Sequence, residues 1–99
     1  MRLLRYHEAA EEELINEIGY LDLQAHGLGR RFFNEVRYAE TRIAQFPEAA
    51  QEVRPGIRKH MLRTFRYSLI YTIEPDGVLI LAVAHQHRRP GYWAGRLTG

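Results

Sequence analysis

The sequence predicts one α+β domain with a short first strand, an antiparallel pair of helices, and then a three- to four-stranded antiparallel sheet. Three observations lead to this prediction. Two apolar stripes at helical spacing lie in the first half, alternating and then continuous apolar residues lie in the second half, and a turn sequence separates the last two predicted strands. A chain of 99 residues has room for one hydrophobic core, so we expect residues 1–99 to form a single domain.

The first half predicts a short strand over residues 2–6, followed by two amphipathic helices. Glutamates fill the first turns of the first helix, where the helix dipole favours acidic side chains. Glycine-rich residues 26–29 end that helix, and Pro47 ends the second. Two helices joined by a short glycine turn form an antiparallel hairpin. The two apolar stripes are Ala10, Leu14, Ile18, Leu21 and Ala25, and then Phe32, Val36, Ala39, Ile43 and Phe46.

The second half predicts a β-hairpin. Apolar and polar residues alternate over residues 67–74, and residues 78–84 are apolar throughout. Between them, Pro75 sets φ for the first corner of a turn and Asp76 suits the second. Gly77 is then expected to take the left-handed conformation that closes a three-residue loop.

A further strand of the same sheet is predicted over residues 57–65, with Val53 in a short strand or loop before it. The last strand, residues 78–84, is apolar on both faces, as expected of a central strand. We therefore expect the helices to cover one face of the sheet and another segment to cover the other face.

Composition excludes several classes of protein. The chain has no cysteine, which rules out disulfides and thiolate metal sites. Its longest apolar run has seven residues, against the roughly 20 that a membrane-spanning helix needs, and charged residues stand where a signal peptide is apolar. We expect a cytoplasmic protein without membrane contact.

Charge is distributed unevenly along the chain. Residues 1–50 hold six Arg against nine acidic residues, a net charge of −3, whereas residues 51–99 hold seven Arg and one Lys against three acidic residues, a net charge of +5. Arginine makes bidentate contacts with carboxylates and phosphates and stacks on planar groups. The basic second half therefore favours contact with an acidic partner.

An ordered set of short segments spans almost the whole chain. It comprises residues 6–14, 46–47, 56–58, 62, 65–71, 79–85, 88–90 and 92–93. In order and spacing this set resembles the RelE/ParE superfamily of toxins from type II toxin-antitoxin systems, also called plasmid stabilisation proteins. The resemblance implies a toxin of the same α+β fold that a partner antitoxin neutralises, and contact with operator DNA only through that antitoxin.

The superfamily has two branches whose chemistry differs. RelE-like members cut mRNA in the ribosome, whereas ParE-like members inhibit DNA gyrase through protein-protein contact. The nuclease branch has an arginine where this chain has Ser68, and a basic pair where this chain has His85 and Gln86. The resemblance therefore favours a gyrase inhibitor without catalytic residues. The alternative is a ribosome-dependent mRNA endoribonuclease, for which it implies Lys59, Arg63, Arg88 and Tyr92 as the catalytic set.

A basic and aromatic segment, residues 85–96, follows the last predicted strand. If that strand continues to His87, then His85 and His87 point to the same side of the sheet. No cysteine or paired carboxylate lies nearby in the sequence, so we expect no metal at the His-x-His spacing, and we expect no cofactor. The predicted partner-binding residues are Arg58, Arg63, His85, His87, Arg88, Arg89, Tyr92, Trp93 and Arg96, of which the two aromatic residues also anchor the tail on the core.

Large apolar residues also lie beyond the two helical stripes. They predict a groove on the helix hairpin that seats an antitoxin helix, and core packing is the alternative. The residues are Tyr20, Leu23, Leu28 and Phe33. A binding module without toxic activity is a third hypothesis for the whole protein.

Overall fold

A computed structural model of the chain describes residues 3–97, and its two helices lie on one face of a five-stranded sheet. The predicted α+β class is confirmed. Arg2, at the start of the predicted first strand, lies outside the described residues. The elements are β1 (Leu3–Tyr6), α1 (Glu8–Gln24), α2 (Leu28–Gln45), β2 (Gln51–Arg54), β3 (Ile57–Met61), β4 (Tyr67–Glu74), β5 (Gly77–His85) and a short 3-10 helix (Ala94–Leu97).

The sheet has the strand order β1-β5-β4-β3-β2. Strands β2 to β5 pair antiparallel, as predicted. Strand β1 adds a fifth strand that pairs with β5 in parallel, which the sequence pattern did not predict. After β1 the chain leaves the sheet, and α1 begins at Glu8. His7 caps this helix, since its Nδ1 accepts a hydrogen bond of 3.0 Å from the backbone N–H of Ala9.

Gly77 differs from its prediction. The loop between β4 and β5 holds only Pro75 and Asp76, and Gly77 opens β5 without the positive φ that we expected. That prediction was wrong, because Gly77 pairs closely with β1 instead of closing the turn. A Cβ atom at Gly77 would collide with the backbone carbonyl oxygen of Leu3, so only glycine lets β1 approach β5 there.

Strand β3 ends earlier than predicted, at Met61 instead of Phe65. Strand β5 runs one residue beyond the predicted Ala84, to His85, and does not continue to His87. Residues 62–66 form a loop that the carboxylate of Glu35 on α2 holds in place. This carboxylate accepts hydrogen bonds from the backbone N–H groups of Arg63 and Thr64 and from the Thr64 hydroxyl. These hydrogen bonds to Glu35 hold residues 63–64 in a loop, although the sequence pattern predicted that β3 continues there.

Two apolar clusters cover the two faces of the sheet. The helix side buries most of both predicted stripes against β4 and β5, with Phe32 and Tyr71 among its largest buried side chains. Phe46, predicted to be buried, is 55% exposed because α2 has already ended at Gln45. The opposite face buries Ile57, Ile70, Leu79, Leu81 and Ala82 beneath Trp93 from the C-terminal segment.

A β-bulge explains how β5 is apolar on both faces. Ile70 of β4 pairs with Ala82 and Tyr71 pairs with Ile80, which leaves Leu81 as an extra residue of β5. The bulge shifts the alternation, so Ile80 and Val83 join the helix-side cluster while Leu81 and Ala82 join the opposite cluster.

The helix hairpin closes through glycines. Gly27 has the left-handed φ of 86° at the turn, and Asp22 Oδ1 accepts hydrogen bonds from the backbone N–H groups of Gly27 and Gly29. Gly29 already belongs to α2 and packs against the carbonyl oxygen of Ile18.

Between residues 3 and 97, neither helix has the length and apolar content that crossing a membrane requires.

Candidate functional site

The C-terminal segment folds back over the sheet and fixes the basic residues around it. Trp93 is 5% exposed and packs on the sheet face that the helices leave open. The Arg54 guanidinium lies over its indole ring, with Cζ 5.3 Å from the ring centroid. The predicted role of Trp93 as an anchor agrees with this position, and the ring is too buried to stack on a ligand.

Glu13 of α1 ties this C-terminal segment to the rest of the molecule. Arg96 donates two hydrogen bonds to its carboxylate, with N···O distances of 3.0 and 2.9 Å, and the Tyr92 hydroxyl donates a third at 2.8 Å. Burial alone would raise the pKa of Glu13, but these hydrogen bonds and one from Val83 hold it below its usual range. Burial and the bond to Glu13 raise the pKa of Tyr92.

The side chains of Glu13 and Arg96 also cover an open edge of β5. Strand β1 ends at Tyr6, whose partner on β5 is Ile80. Beyond that point the backbone N–H of Val83 donates to Glu13 at 3.0 Å, and the carbonyl oxygen of Leu81 accepts from Arg96 at 2.8 Å. Glu13 and Arg96 therefore satisfy backbone groups that a neighbouring strand would otherwise satisfy.

A concave surface lies between the strands β2 to β5 and the segment that follows β5, and we call it the cationic cleft. Its charged rim consists of Arg54, Lys59, Arg88 and Arg89, and none of the described residues that line it is acidic. Most of its other lining residues are apolar or small. The other lining residues are Val53, Ser68, Ile70, Ala84, His85, Gln86, Pro90, Gly91 and Trp93.

A second depression, the aromatic cleft, lies between α1 and the ends of β4 and β5. The rings of His85 and His87 lie 5.0 Å apart between centroids, and the Tyr67 ring meets His85 edge-on at 4.9 Å. The described lining residues include one acidic residue, Glu17, whose carboxylate accepts the hydroxyl hydrogen of Tyr67. The remaining lining residues are Tyr20, Leu21, Thr64, Phe65, Arg66 and Arg88.

The predicted partner-binding residues are thus divided among several places. Arg88 and Arg89 line the cationic cleft, and His85 lines both clefts. Arg96 is engaged with Glu13 and Leu81. Arg58 donates to the carbonyl oxygens of Glu48 and Ala50, at 2.9 and 2.6 Å, and so holds the connection between α2 and β2. Arg63 lies on the exposed loop after β3.

The residues that the nuclease alternative requires line neighbouring surfaces, and Lys59 shares a further depression with Arg63. Lys59 and Arg88 line the cationic cleft, whereas Arg63 and Tyr92 are absent from its lining. Arg88 does lie over the Tyr92 ring, with its Cζ 3.9 Å from the centroid, but the Tyr92 hydroxyl points to Glu13. A tyrosine held this way by a carboxylate is a poor proton donor to a substrate.

Two of the four residues of the predicted antitoxin groove line different depressions. Tyr20 lines the aromatic cleft, and Phe33 lines a separate depression between α1 and α2. Leu23 projects from α1 and is 88% exposed, while Leu28 is partly buried and lines neither of these two depressions.

Sequence reasoning missed three residues of this region. Arg54 stands directly before the Pro55-Gly56 turn, and this position at a hairpin loop was a signal that its side chain is exposed. Arg66 stands between two predicted strands in the same way. Glu13 gave no local signal, because its partner Arg96 is 83 positions away.

Among residues 3–97, no three His, Asp or Glu side chains gather as a metal site would require.

Comparisons with known proteins relate the chain to one family. The family model described as "ParE toxin of type II toxin-antitoxin system, parDE" matches residues 4–90. Toxin ParE2 of Mycobacterium tuberculosis (strain CDC 1551 / Oshkosh) is 31% identical over 99 residues, which is 99% of this chain and 94% of that protein. Toxin ParE2 of strain ATCC 25618 / H37Rv gives the same values.

Among solved structures, a chain from the chromosomal ParDE TA system of P. aeruginosa has the same fold. The two chains superpose with a TM-score of 0.74 at 13% sequence identity, over 86% of this chain and 96% of that chain. The sequence matches extend this likeness of fold to a family with a defined role. The chain belongs to the ParE toxin family of type II toxin-antitoxin systems, which implies an antitoxin as its partner.

Proposed function

We propose that this toxin inhibits DNA gyrase by direct contact through the cationic cleft, and that it acts in the cytoplasm, where gyrase works. The observation that carries the proposal is the convergence of Arg54, Lys59, Arg88 and Arg89 on one concave surface without an acidic lining residue among those described. Such a surface attracts an acidic patch and speeds its association.

The rim arginines are also partly oriented before any partner arrives. Arg54 stacks over Trp93, and Arg88 stacks over Tyr92. A guanidinium group held over an aromatic ring loses less conformational freedom when it binds a carboxylate, and its N–H edge stays available. The Glu13–Arg96 ion pair supports this arrangement indirectly, since it fixes the tail that carries both rings.

The alternative, a ribosome-dependent mRNA endoribonuclease, receives less support from the same geometry. Catalysis of this kind needs a proton donor and cations around one phosphate. Here Lys59 and Arg88 share a cleft, but the Tyr92 hydroxyl is bound to Glu13 and Ser68 supplies no charge. We therefore assign the cationic cleft to protein contact without catalysis and without a cofactor.

We further propose that an acidic segment of the antitoxin binds the aromatic cleft, so that the antitoxin spans α1 and the end of the sheet. Tyr20 is 55% exposed there, and Arg66 and Arg88 supply positive charge. Arg88 lines both clefts, so an antitoxin bound in one takes a contact from gyrase in the other. Operator DNA then meets the toxin only through the antitoxin.

The test compares two activities of one preparation. The purified toxin should inhibit gyrase supercoiling or trap cleaved DNA, and it should leave mRNA intact in a translating ribosome extract. The double variant Arg88→Ala, Arg89→Ala should lose the gyrase effect. The matched control is Arg5→Ala, Arg37→Ala, which removes two exposed arginines that are already paired with Glu74 and Glu40. Codon-linked mRNA cleavage that Tyr92→Phe abolishes would establish the nuclease alternative instead.

A further inference from the structure

The segment after β5 makes a sharp turn before it runs back over the sheet. The backbone N–H of Tyr92 donates to the carbonyl oxygen of Arg89 at 3.2 Å, and Gly91 has a φ of 76°. Pro90 and Gly91 at the two central positions, with a positive φ at the second, are the features of a type II β-turn. This turn sets the direction in which the chain continues to Trp93.

Gly91 also leaves the space that the guanidinium of Arg54 occupies. A Cβ atom added at Gly91 would overlap Nη2 of Arg54 and would lie 3.3 Å from its Cζ. The same guanidinium lies over the indole ring of Trp93. The backbone of Gly91 and the ring of Trp93 thus enclose one position for this cation, and we call that position the arginine notch.

The guanidinium in the arginine notch has no carboxylate partner. Arg54 is exposed and takes part in no ion pair among residues 3–97. The nearest acidic residue along the chain, Glu52, is engaged elsewhere. Its carboxylate lies 3.8 Å from the Arg58 guanidinium and accepts a hydrogen bond of 3.2 Å from the backbone N–H of Gly56. The tail therefore fixes a cation whose N–H groups remain available to an outside ligand.

The arginine notch restrains Arg54 more than the fold restrains the other cations of the cationic cleft. Trp93 packs in the apolar cluster of its sheet face, so the ring against Arg54 is itself fixed. Arg88 lies over a ring that is only half-buried. Within residues 3–97, neither Lys59 nor Arg89 forms an ion pair or lies over an aromatic ring. A side chain that is already held loses less conformational entropy when a partner binds it.

We propose that Arg54 is the anchoring cation of the gyrase contact, and that Gly91 is a positioning residue that holds it, together with Trp93, where it meets a carboxylate of gyrase. This inference rests on the proposed function of the cationic cleft and adds which of its cations determines the contact. A guanidinium with one face on a ring still presents its N–H edge, which binds a carboxylate in bidentate geometry. Arginine is also enriched among the few residues that dominate binding energy at interfaces.

Tryptophan fluorescence tests the arginine notch without gyrase, because Trp93 is the single tryptophan of the chain. Arg54→Ala uncovers the indole ring, so acrylamide should quench its emission more strongly than in the wild type. Gly91→Ala should raise the quenching to the same extent, because its methyl group displaces the guanidinium. Gly27→Ala is the matched control, since Gly27 has a similar φ of 86° but open space around an added Cβ. This control has the backbone strain alone and should be quenched like the wild type.

Inhibition of gyrase supercoiling tests the anchoring role. Arg54→Ala should raise the toxin concentration for half-inhibition about 10-fold or more, as for the loss of a hydrogen bond between charged groups. Gly91→Ala should raise it by a comparable factor. The double variant should be no weaker than Arg54→Ala alone, because Gly91 acts only through Arg54.

Arg30→Ala is the control for the loss of one positive charge. Arg30 is exposed, lines neither cleft and has no ion pair among residues 3–97, so this variant should keep wild-type potency. Circular dichroism and the thermal midpoint show that each variant is folded.

Three outcomes would overturn this inference while the proposed function stands. The first is unchanged quenching in Gly91→Ala, which would show that the guanidinium tolerates the methyl group. The second is a folded Arg54→Ala variant that inhibits gyrase like the wild type. The third is a further loss of potency when Gly91→Ala is added to Arg54→Ala, which would show that the turn acts through Arg88 and Arg89. A wild-type toxin without effect on gyrase would instead overturn the proposed function, and the anchoring role with it, whatever the quenching shows.

Discussion

At the scale of single residues, Glu13 connects parts of the chain that are far apart in sequence. Its carboxylate joins α1 to the backbone of β5 through Val83, and to the C-terminal segment through Tyr92 and Arg96. The Glu13–Arg96 ion pair is largely shielded, with side chains 16% and 17% exposed. A shielded carboxylate with four hydrogen bonds contributes more to stability than an exposed ion pair of the same geometry.

We predict that Glu13→Gln lowers the free energy of unfolding at pH 7 by about 1–3 kcal/mol, the usual cost of leaving buried charged partners unsatisfied. The pKa of Glu13 is depressed in the folded state, so its contribution is present above the unfolded pKa of about 4.3 and is lost as pH falls through the folded pKa. The difference between wild type and variant should therefore shrink below pH 4. Chemical denaturation across pH measures it, with exposed Glu11→Gln as the control.

Tyr92→Phe separates a structural role of this residue from a catalytic one. The variant loses the hydroxyl that donates to Glu13 at 2.8 Å but keeps the ring beneath Arg88. We predict a loss of about 1 kcal/mol in unfolding free energy, as for one hydrogen bond, and nearly unchanged inhibition of gyrase supercoiling. Loss of inhibition in a variant whose thermal midpoint remains within a few degrees of wild type would contradict this.

At the scale of elements, β1 depends on a single glycine of its partner strand. Gly77→Ala places a methyl group against the carbonyl oxygen of Leu3, and neither backbone can move without breaking the ladder between β1 and β5. We predict a destabilisation of about 1–3 kcal/mol, as for other forced overpacking, with faster amide exchange at Arg5 and Tyr6. Asp76→Ala, one residue earlier in the exposed loop, should leave both measurements near wild type. Unchanged exchange in Gly77→Ala would show that β1 tolerates the methyl group.

Sequence periodicity predicted the elements whose neighbours are close in the chain. Both helices and the hairpin of β4 and β5 follow from local spacing, since each places apolar residues in the helix-side cluster. The pairing of β1 with β5 joins residues more than 70 positions apart, such as Leu3 and Gly77, and no local pattern encodes it. The bulged residue Leu81 and the loop after β3 likewise contact Arg96 and Glu35, which lie on other elements.

The candidate site was predictable only in part for the same reason. The basic segment after β5 was visible in the sequence, and Arg88 and Arg89 do line the cationic cleft. Local pattern gave no means to tell them from Arg58 and Arg96, whose partners lie on other segments. Charge composition shows how many arginines a chain has, and only the fold shows which of them have carboxylate or carbonyl partners.

At the scale of the whole molecule, the fold places the basic and the acidic residues of the sequence on different sides of the surface. The second half of the chain builds both clefts together with Tyr20, Leu21 and Glu17 of α1, so its positive charge faces any partner that approaches the end of the sheet. The acidic residues of the first half lie mainly on α1. An acidic segment of the antitoxin, as proposed above, would be attracted to one side of the toxin and repelled from another, which would orient it during encounter.

This arrangement predicts that antitoxin association is steered by charge. The Debye length falls from about 10 Å at 0.1 M salt to about 3 Å at 1 M, so the association rate should fall as salt rises while the dissociation rate changes less. Arg66→Ala should slow association at low salt and have little effect at high salt, because Arg66 lines the aromatic cleft without an ion-pair partner among residues 3–97. Arg5→Ala, which removes an arginine already paired with Glu74, is the matched control. Stopped-flow association with the cognate antitoxin measures both variants. An association rate that is independent of salt, or equal for Arg66→Ala and Arg5→Ala at low salt, would show that the aromatic cleft does not guide the antitoxin.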